Sequence, residues 1–272
     1  MNFSELVKNI WAEPDFSFNL WEKGGSSAQL HAFIPKEKKS DGAIIAIPGG
    51  GYQGLSTYES IGYGNFFSKC GITVFALSYS VAPNRFPTPL IEARRAVRLV
   101  RENSQKYGIN PQKIAVMGSS AGGHLTAMLS TYKKSFDGEI KDETDKINCI
   151  PNAQILCYSV TSSPVSGEDS HLGSYANLFG GRNEELERQT DPCLNVNSDT
   201  PPAFIWSTAE DKSVNVINSY EYAAALRRKE VPVEMHIFPY GHHGLGVSED
   251  IPHVRQWTEL LLNWLKEMDW LK

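Results

Sequence analysis

The sequence predicts an α/β fold, a doubly wound and mostly parallel sheet with helices on both faces. Three observations point there. Short, largely apolar runs recur at residues 43–47, 72–79, 114–117, 153–160 and 203–207, as strands buried on both sides require. Helical patterns alternate with them, which implies parallel βαβ units. Glycine-rich or polar loops follow several of the runs directly. Those loops would gather on the rim formed by the carboxyl ends of the strands, where sheets of this kind bind ligands.

Taken in order, residues 1–27 read as a peripheral lead-in with two exposed tryptophans, Trp11 and Trp21. Ala28 to Ile34 alternates as an edge strand would. Ala43 to Ile47 is the first fully buried strand, and it ends in Pro48-Gly49-Gly50-Gly51-Tyr52. Residues 58–70 suit a helix, and Ile72 to Tyr79 the next buried strand. Leu90, Ala93, Val97 and Val100 recur at helical spacing, with Arg94, Arg95, Arg98 and Arg101 assigned to the wet face. Gly108-Ile109-Asn110-Pro111 stops that helix. A strand follows from Ile114, then a helix with Leu125, Met128 and Leu129 inward. Lys133 to Asn148, dense in Lys, Asp and Glu, reads as a solvated excursion. Ala153 to Val160 is a strand. Residues 161–200 have little periodicity, and so long a loop in a compact domain suggests a lid or substrate loop. Ala203 to Ser207 is a strand, Val216 to Arg228 a helix and Val233 to Phe238 a strand. Val254, Trp257, Leu261 and Trp264 mark a terminal amphipathic helix.

Composition narrows the class of function. The chain has 272 residues, 41% of them hydrophobic and 21% charged, which suits a globular protein with a full core. We see no repeat and no linker, so residues 1–272 read as one domain. The net charge of −5 argues against a nucleic-acid surface or a polybasic membrane contact. No apolar run nears the ~20 residues that span a bilayer. The N-terminus lacks the basic and apolar regions of a secretory signal. Cys70, Cys149, Cys157 and Cys193 show no metal-ligand spacing. A reduced, cytoplasmic protein without disulfides is the economical expectation. Homo-oligomerisation is left open.

The chemistry centres on Gly118-Ser119-Ser120-Ala121-Gly122, a G-x-S-x-G pattern between a strand and a helix. In such a turn the glycines avoid collisions, and the central Ser120 is held with its hydroxyl outward. A bare pattern of this type can be only a Gly/Ser loop, so partners must be sought. A serine hydroxyl needs a general base and a group that orients it. Among seven histidines, His242 and His243 share a glycine-rich loop after the last strand. His31 and His236 sit in strand patterns, and His253 begins a helix. His124 lies one turn past Ser120, where it caps or packs. His171, in the long loop, is a candidate substrate contact. The orienting acid should follow a strand between the elbow and the histidine. Asp211 is our choice and Glu210 the alternative, each competing with a plain helix-cap role. The order Ser, Asp, His is then that of one of the known serine-hydrolase arrangements. Gly50 and Gly51 could offer backbone amides to an oxyanion, joined by the amide of Ala121 at the helix N-terminus. A phosphate-binding reading of the glycines is weakened by the missing Lys-Ser/Thr.

These residues together resemble the α/β-hydrolase superfamily, and within it the small carbohydrate-esterase or acetylesterase group associated with xylan degradation. The matching pieces are PGGGY at 48–52, Tyr79-Ser-Val-Ala-Pro83, INPQKIAVMGSSAGGHL at 109–125, TPPAFIWSTAEDKSV at 200–214 and HIFPYGHHGLG at 236–246. Gly173-Ser174 and the stretch from Asn177 to Gly180 are similar to that group's substrate-side loop. The likeness selects His243 over His242 as the base. Three departures stand out. The glycine loop lacks a leading histidine, Ser80 replaces the arginine of YRLAP, and His242 replaces a glycine of GGHGLG.

The resemblance implies a serine carboxylesterase that releases a short acyl group, expected to be acetyl, from an acylated sugar such as a xylo-oligosaccharide. Ser120, Asp211 and His243 would be catalytic, and Gly50, Gly51 and Ala121 would form the oxyanion hole. Tyr52, His171 and His242 would touch substrate. No metal or organic cofactor is expected, and the partner is a small-molecule ester. Rival readings are a peptidase or arylformamidase on the same fold, or a binding protein that has kept the fold without the activity.

Overall fold

A computed structural model describes residues 2–22 and 26–272 of the chain. Of the lead-in, Met1 and residues 23–25 lie outside the described residues. Eight strands form one sheet: β1 (Phe16–Asn19), β2 (Gln29–Phe33), β3 (Ala43–Ile47), β4 (Thr73–Ser78), β5 (Ile114–Ser119), β6 (Ala153–Cys157), β7 (Ala203–Thr208) and β8 (Val233–Phe238). Their spatial order is β1-β2-β4-β3-β5-β6-β7-β8. β1 and β2 pair antiparallel, β2 joins β4 antiparallel, and every pairing from β4 to β8 is parallel. The helices are α1 (Phe3–Val7), α2 (Ile61–Lys69), α3 (Thr88–Glu102), α4 (Ser120–Thr131), α5 (Leu172–Phe179), α6 (Glu184–Thr190), α7 (Pro192–Asn195), α8 (Ile217–Arg228) and α9 (Gln256–Glu267).

Alternation along the central strands explains the layering. Ala43, Ile45 and Ile47 of β3, with Ile114 and Val116 of β5, pack with Leu90, Val97, Leu125 and Met128 of α3 and α4. Ile44, Ala46, Ala115 and Met117 point the other way, onto Tyr63, Phe66, Trp257 and Leu261 of α2 and α9. A period of two on both faces leaves no polar side, so these strands read as continuous apolar runs. The connection from β3 runs outward to β4, whereas that from β5 runs to β6 on the other side. β3 and β5 are themselves neighbours, with Ile47 opposite Gly118. The order therefore reverses between them, and their carboxyl ends open a crevice for a ligand.

Five expectations are corrected. Ala28 to Ile34 does not supply the edge, because β1 pairs outside β2. Trp21 is buried, with Arg95 and Lys141 lying against its ring, while Trp11 is exposed. Arg94, Arg95 and Arg98 are not on a wet face. Each is buried beneath the 133–148 segment, where Glu139 binds Arg94 (2.7 Å) and Arg98 (3.0 Å), and Asp145 binds Arg95 (3.0 Å). That segment is thus docked by ion pairs instead of solvated. Finally, residues 161–200 are not structureless, since they hold α5, α6 and α7. Among the described residues no helix is long and apolar enough to cross a membrane.

Candidate active site

The turn from β5 into α4 is enforced by close approach. A side chain at Gly118 would overlap the Gly122 carbonyl and Thr126, and one at Gly122 would overlap the carbonyls of Ile47 and Pro48. With both glycines in place, Ser120 takes φ +52°, a left-handed conformation that costs a serine about 1–3 kcal/mol. Its hydroxyl faces the loop that follows β8.

That loop carries His243. Its Nδ1 lies 2.6 Å from Asp211 Oδ2, and its Nε2 lies 2.9 Å from Ser120 Oγ. A carboxylate only accepts, so Nδ1 holds the proton. Nε2 is then free to accept the Ser120 hydroxyl proton. The other Asp211 oxygen accepts the amides of Ser213 (2.8 Å) and Val214 (2.9 Å). Those bonds close the turn after β7 and leave Oδ2 one orientation. Asp211 is fully buried at its side chain, whereas His243 keeps 22% of its exposure, so the imidazole is reached from solvent and the carboxylate is not. The Thr208 hydroxyl donates to the Gly241 carbonyl (2.7 Å), and Trp257 Nε1–H to that of Gly246 (3.1 Å). Both ends of the histidine loop are fixed by these bonds.

The glycine loop after β3 lies beside the serine. Gly50 and Gly51 have φ of +118° and +63°, and a side chain at Gly50 would overlap the Gly54 carbonyl. The Gly51 carbonyl accepts from Asn177 Nδ2 (2.8 Å), which turns this peptide from the α5 side. The amides of Gly50 and Gly51 have no partner among the described residues. Ala121 N–H, in the first turn of α4, has no partner within the helix. A pocket of about 220 Å³ opens here, lined by Gly50, Gly51, Ser56, Tyr58, Glu59, Ser120, His171, Ser213 and His243.

Other residues fall in and out of this site. His171 lines the pocket. The Ser174 amide donates to its Nδ1 (3.2 Å), so the neutral ring carries its proton on Nε2. Burial, and then the neighbouring His243, lower its pKa, which favours that neutral form. Tyr52 is a correction. Its side chain is buried, and its hydroxyl is bonded to His124 Nδ1 (2.7 Å), because φ +57° turns the residue inward. His242 is also displaced from the substrate side. It is exposed outside the pocket lining, with its Nδ1 donating to the His243 carbonyl (2.7 Å). Glu210 accepts the Gly241 amide (3.3 Å) and does not meet the imidazole.

Sequence reasoning missed Glu59. Ser56 and Glu59 form an S-x-x-E pattern that reads only as a helix start. In the structure the Glu59 carboxylate is buried and accepts the Gly49 amide (2.7 Å) and the Tyr158 hydroxyl (2.7 Å).

Comparison with known proteins gives the family. The profile of the BD-FAE family matches residues 30–226. Endo-1,4-beta-xylanase B of Butyrivibrio fibrisolvens is 34% identical over 89% of this chain and 38% of its own length. The acetylxylan esterase of Xylanibacter ruminicola is 33% identical over 93% of this chain and 50% of its own length. The chain thus spans half or less of these two curated relatives. The acetyl ester-xyloside bifunctional hydrolase of Caldicellulosiruptor lactoaceticus superposes with a TM-score of 0.88 at 36% identity, covering 96% of this chain and 98% of that one. With a family match across most of its length and an α/β-hydrolase sheet beneath it, this chain belongs to the BD-FAE family.

Proposed function

We propose that the protein is a serine carboxylesterase that removes short acyl groups, acetyl above all, from acylated sugars such as xylo-oligosaccharides. The observation that carries this reading is the continuous row from Asp211 through His243 to Ser120, at 2.6 and 2.9 Å. Ser120 Oγ attacks the ester carbonyl carbon while His243 Nε2 takes its proton. The buried Asp211 carboxylate stabilises the imidazolium formed. The oxyanion is held by the amides of Gly50, Gly51 and Ala121, which are unspent elsewhere. The tetrahedral adduct collapses, His243 returns the proton to the sugar oxygen, and the alcohol leaves. Water then repeats the sequence on the acyl-enzyme, releasing the carboxylic acid and restoring Ser120.

The sugar preference is supported by the relatives' activities and by the pocket's polar lining. Ser56, Ser213 and His171 Nε2–H offer hydrogen bonds to hydroxyls, with His171 the substrate contact we favour. A cytoplasmic setting is supported by the four cysteines, all of them free thiols.

The test is Ser120→Ala. It should abolish turnover of p-nitrophenyl acetate, by roughly 10⁴-fold or more, with the circular dichroism spectrum unchanged. Acetate release from acetylated xylo-oligosaccharides should vanish with it. Activity retained in that variant would refute the assignment.

A further inference from the structure

Glu59 is buried, lies in the pocket wall and has no part in the steps above. Its carboxylate ties the glycine loop to Tyr158 and, through that hydroxyl, to the histidine loop. Oε2 accepts the Gly49 amide (2.7 Å), the peptide immediately before the oxyanion glycines. A Cβ on Gly49 would sit 2.6 Å from Glu59 Oε2 and 2.9 Å from Ser120 Cβ, so carboxylate and nucleophile press on the same face of that loop. Oε1 accepts the Tyr158 hydroxyl (2.7 Å), and Tyr158 in turn accepts the Gly246 amide (3.0 Å) from the histidine loop. The Tyr158 ring packs edge-on against His243, with centroids 5.0 Å apart. Both carboxylate oxygens are used as acceptors, the pattern an ionised carboxylate makes.

The titratable groups facing Glu59 are Tyr58 on its own segment, Tyr63 on α2, Tyr79 after β4, Cys157 and Tyr158 at the end of β6, and His243. Burial pushes the phenols and the thiol up, Tyr58 and Cys157 to about 12, so they stay neutral. His243 is the one basic side chain of this set. Burial also raises the Glu59 pKa, against the opposing pull of Tyr158, Gly49 and His243.

We propose that Glu59 is a positioning residue of this esterase: its carboxylate sets the glycine loop and, through Tyr158, the histidine loop against Ser120, and it is a second buried counter-charge to the His243 imidazolium. This rests on the esterase reading, and the experiment separates the two. An inactive wild type, or an active Ser120→Ala, would defeat the esterase reading before any Glu59 variant is compared.

The test is Glu59→Gln. An amide has an acceptor oxygen at only one of the two positions, so it cannot receive Gly49 N–H at one and Tyr158 O–H at the other. We expect kcat for p-nitrophenyl acetate to fall roughly 10- to 100-fold with KM within about twofold, since oxyanion placement matters in the transition state. The substitution removes the negative charge that faces the His243 ring. The acid limb of kcat/KM should therefore move to lower pH by roughly half a unit. A residue that only stabilised the fold would lower the melting temperature and leave that limb in place. Tyr158→Phe, which removes both the bond to Glu59 and the link to Gly246 and keeps the carboxylate, should lower kcat roughly tenfold. A folded Glu59→Gln with kcat within about twofold of wild type and an unmoved acid limb overturns the proposal. If Glu59→Gln does not fold, a folded Tyr158→Phe with wild-type kcat overturns it instead.

Discussion

Burial at His124 drives its imidazole down to about 4, from an ordinary value of 6.5, against the opposing pull of Asp191 and the Thr190 carbonyl. The geometry shows why. Nε2–H donates to the Thr190 carbonyl (3.2 Å) and Nδ1 accepts the Tyr52 hydroxyl (2.7 Å), so the neutral ring is already satisfied. Between about pH 4 and 6.5 the unfolded chain holds a proton here that the folded chain refuses. Stability from this site is therefore present above 6.5 and is lost as pH falls toward 4. Between pH 7 and pH 5 the loss comes to about 2 kcal/mol. His124→Gln, whose amide can both accept from Tyr52 and donate to Thr190, should show a smaller drop in urea-unfolding free energy over that interval. An equal drop in the variant would place the titration elsewhere. At this scale the sequence was informative wherever local rules apply. Ser120 sits in a turn whose glycines are required by contact, and His243 and Asp211 follow strands at the expected points. Tyr52 was misread because its neighbours in sequence are loop glycines, whereas its partner His124 is 72 positions away. Glu59 was passed over because burial of a carboxylate depends on a tyrosine 99 positions further along.

The secondary elements show the same division between local and long-range causes. Strands buried on both faces announce themselves as apolar runs, and β3 to β7 lie where those runs predict. α3 was located from Leu90, Ala93, Val97 and Val100, but its arginine face was placed in solvent. Periodicity shows which face is polar and not what covers it. Here the cover is the 133–148 segment, whose carboxylates meet Arg94, Arg95 and Arg98 inside a closed interface. Buried pairs of this kind are costly to break from one side, because the remaining charge stays desolvated. Glu139→Gln leaves Arg94 and Arg98 without their shared carboxylate. It should destabilise the fold by about 3 kcal/mol in urea unfolding. Glu139 contributes nothing to the pocket, so kcat for p-nitrophenyl acetate below the transition should match wild type. A loss under about 0.5 kcal/mol, the value for a surface pair, would mean that water reaches this interface.

Across the whole molecule, the site exists because one sheet brings separate loops to one rim. The glycine loop follows β3, the serine β5, the acid β7 and the imidazole the final strand, while the 161–200 segment adds His171 and turns Gly51 through Asn177. The fold was legible as a parallel sheet, but the outer β1 and the helices of 161–200 were not, since short elements carry too few residues to show a period. What this assembly leaves open at Ser120 is small and polar. Apart from its two glycines, every residue lining the pocket carries a hydroxyl, an imidazole or a carboxylate, and the volume is about 220 Å³. A longer acyl chain gains binding only where apolar surface covers it, at about 0.8 kcal/mol for each buried methylene. This lining supplies no such cover, and a chain folded into it would displace water from polar groups without replacing their hydrogen bonds. Specificity constants should therefore fall along the series from p-nitrophenyl acetate through butyrate to octanoate, by roughly tenfold or more overall, with acetate preferred. A steady rise along the same series would mean that the long chain finds an apolar channel outside this pocket, and the preference for small acyl groups would have to be abandoned while the roles proposed for Ser120 and His243 stood.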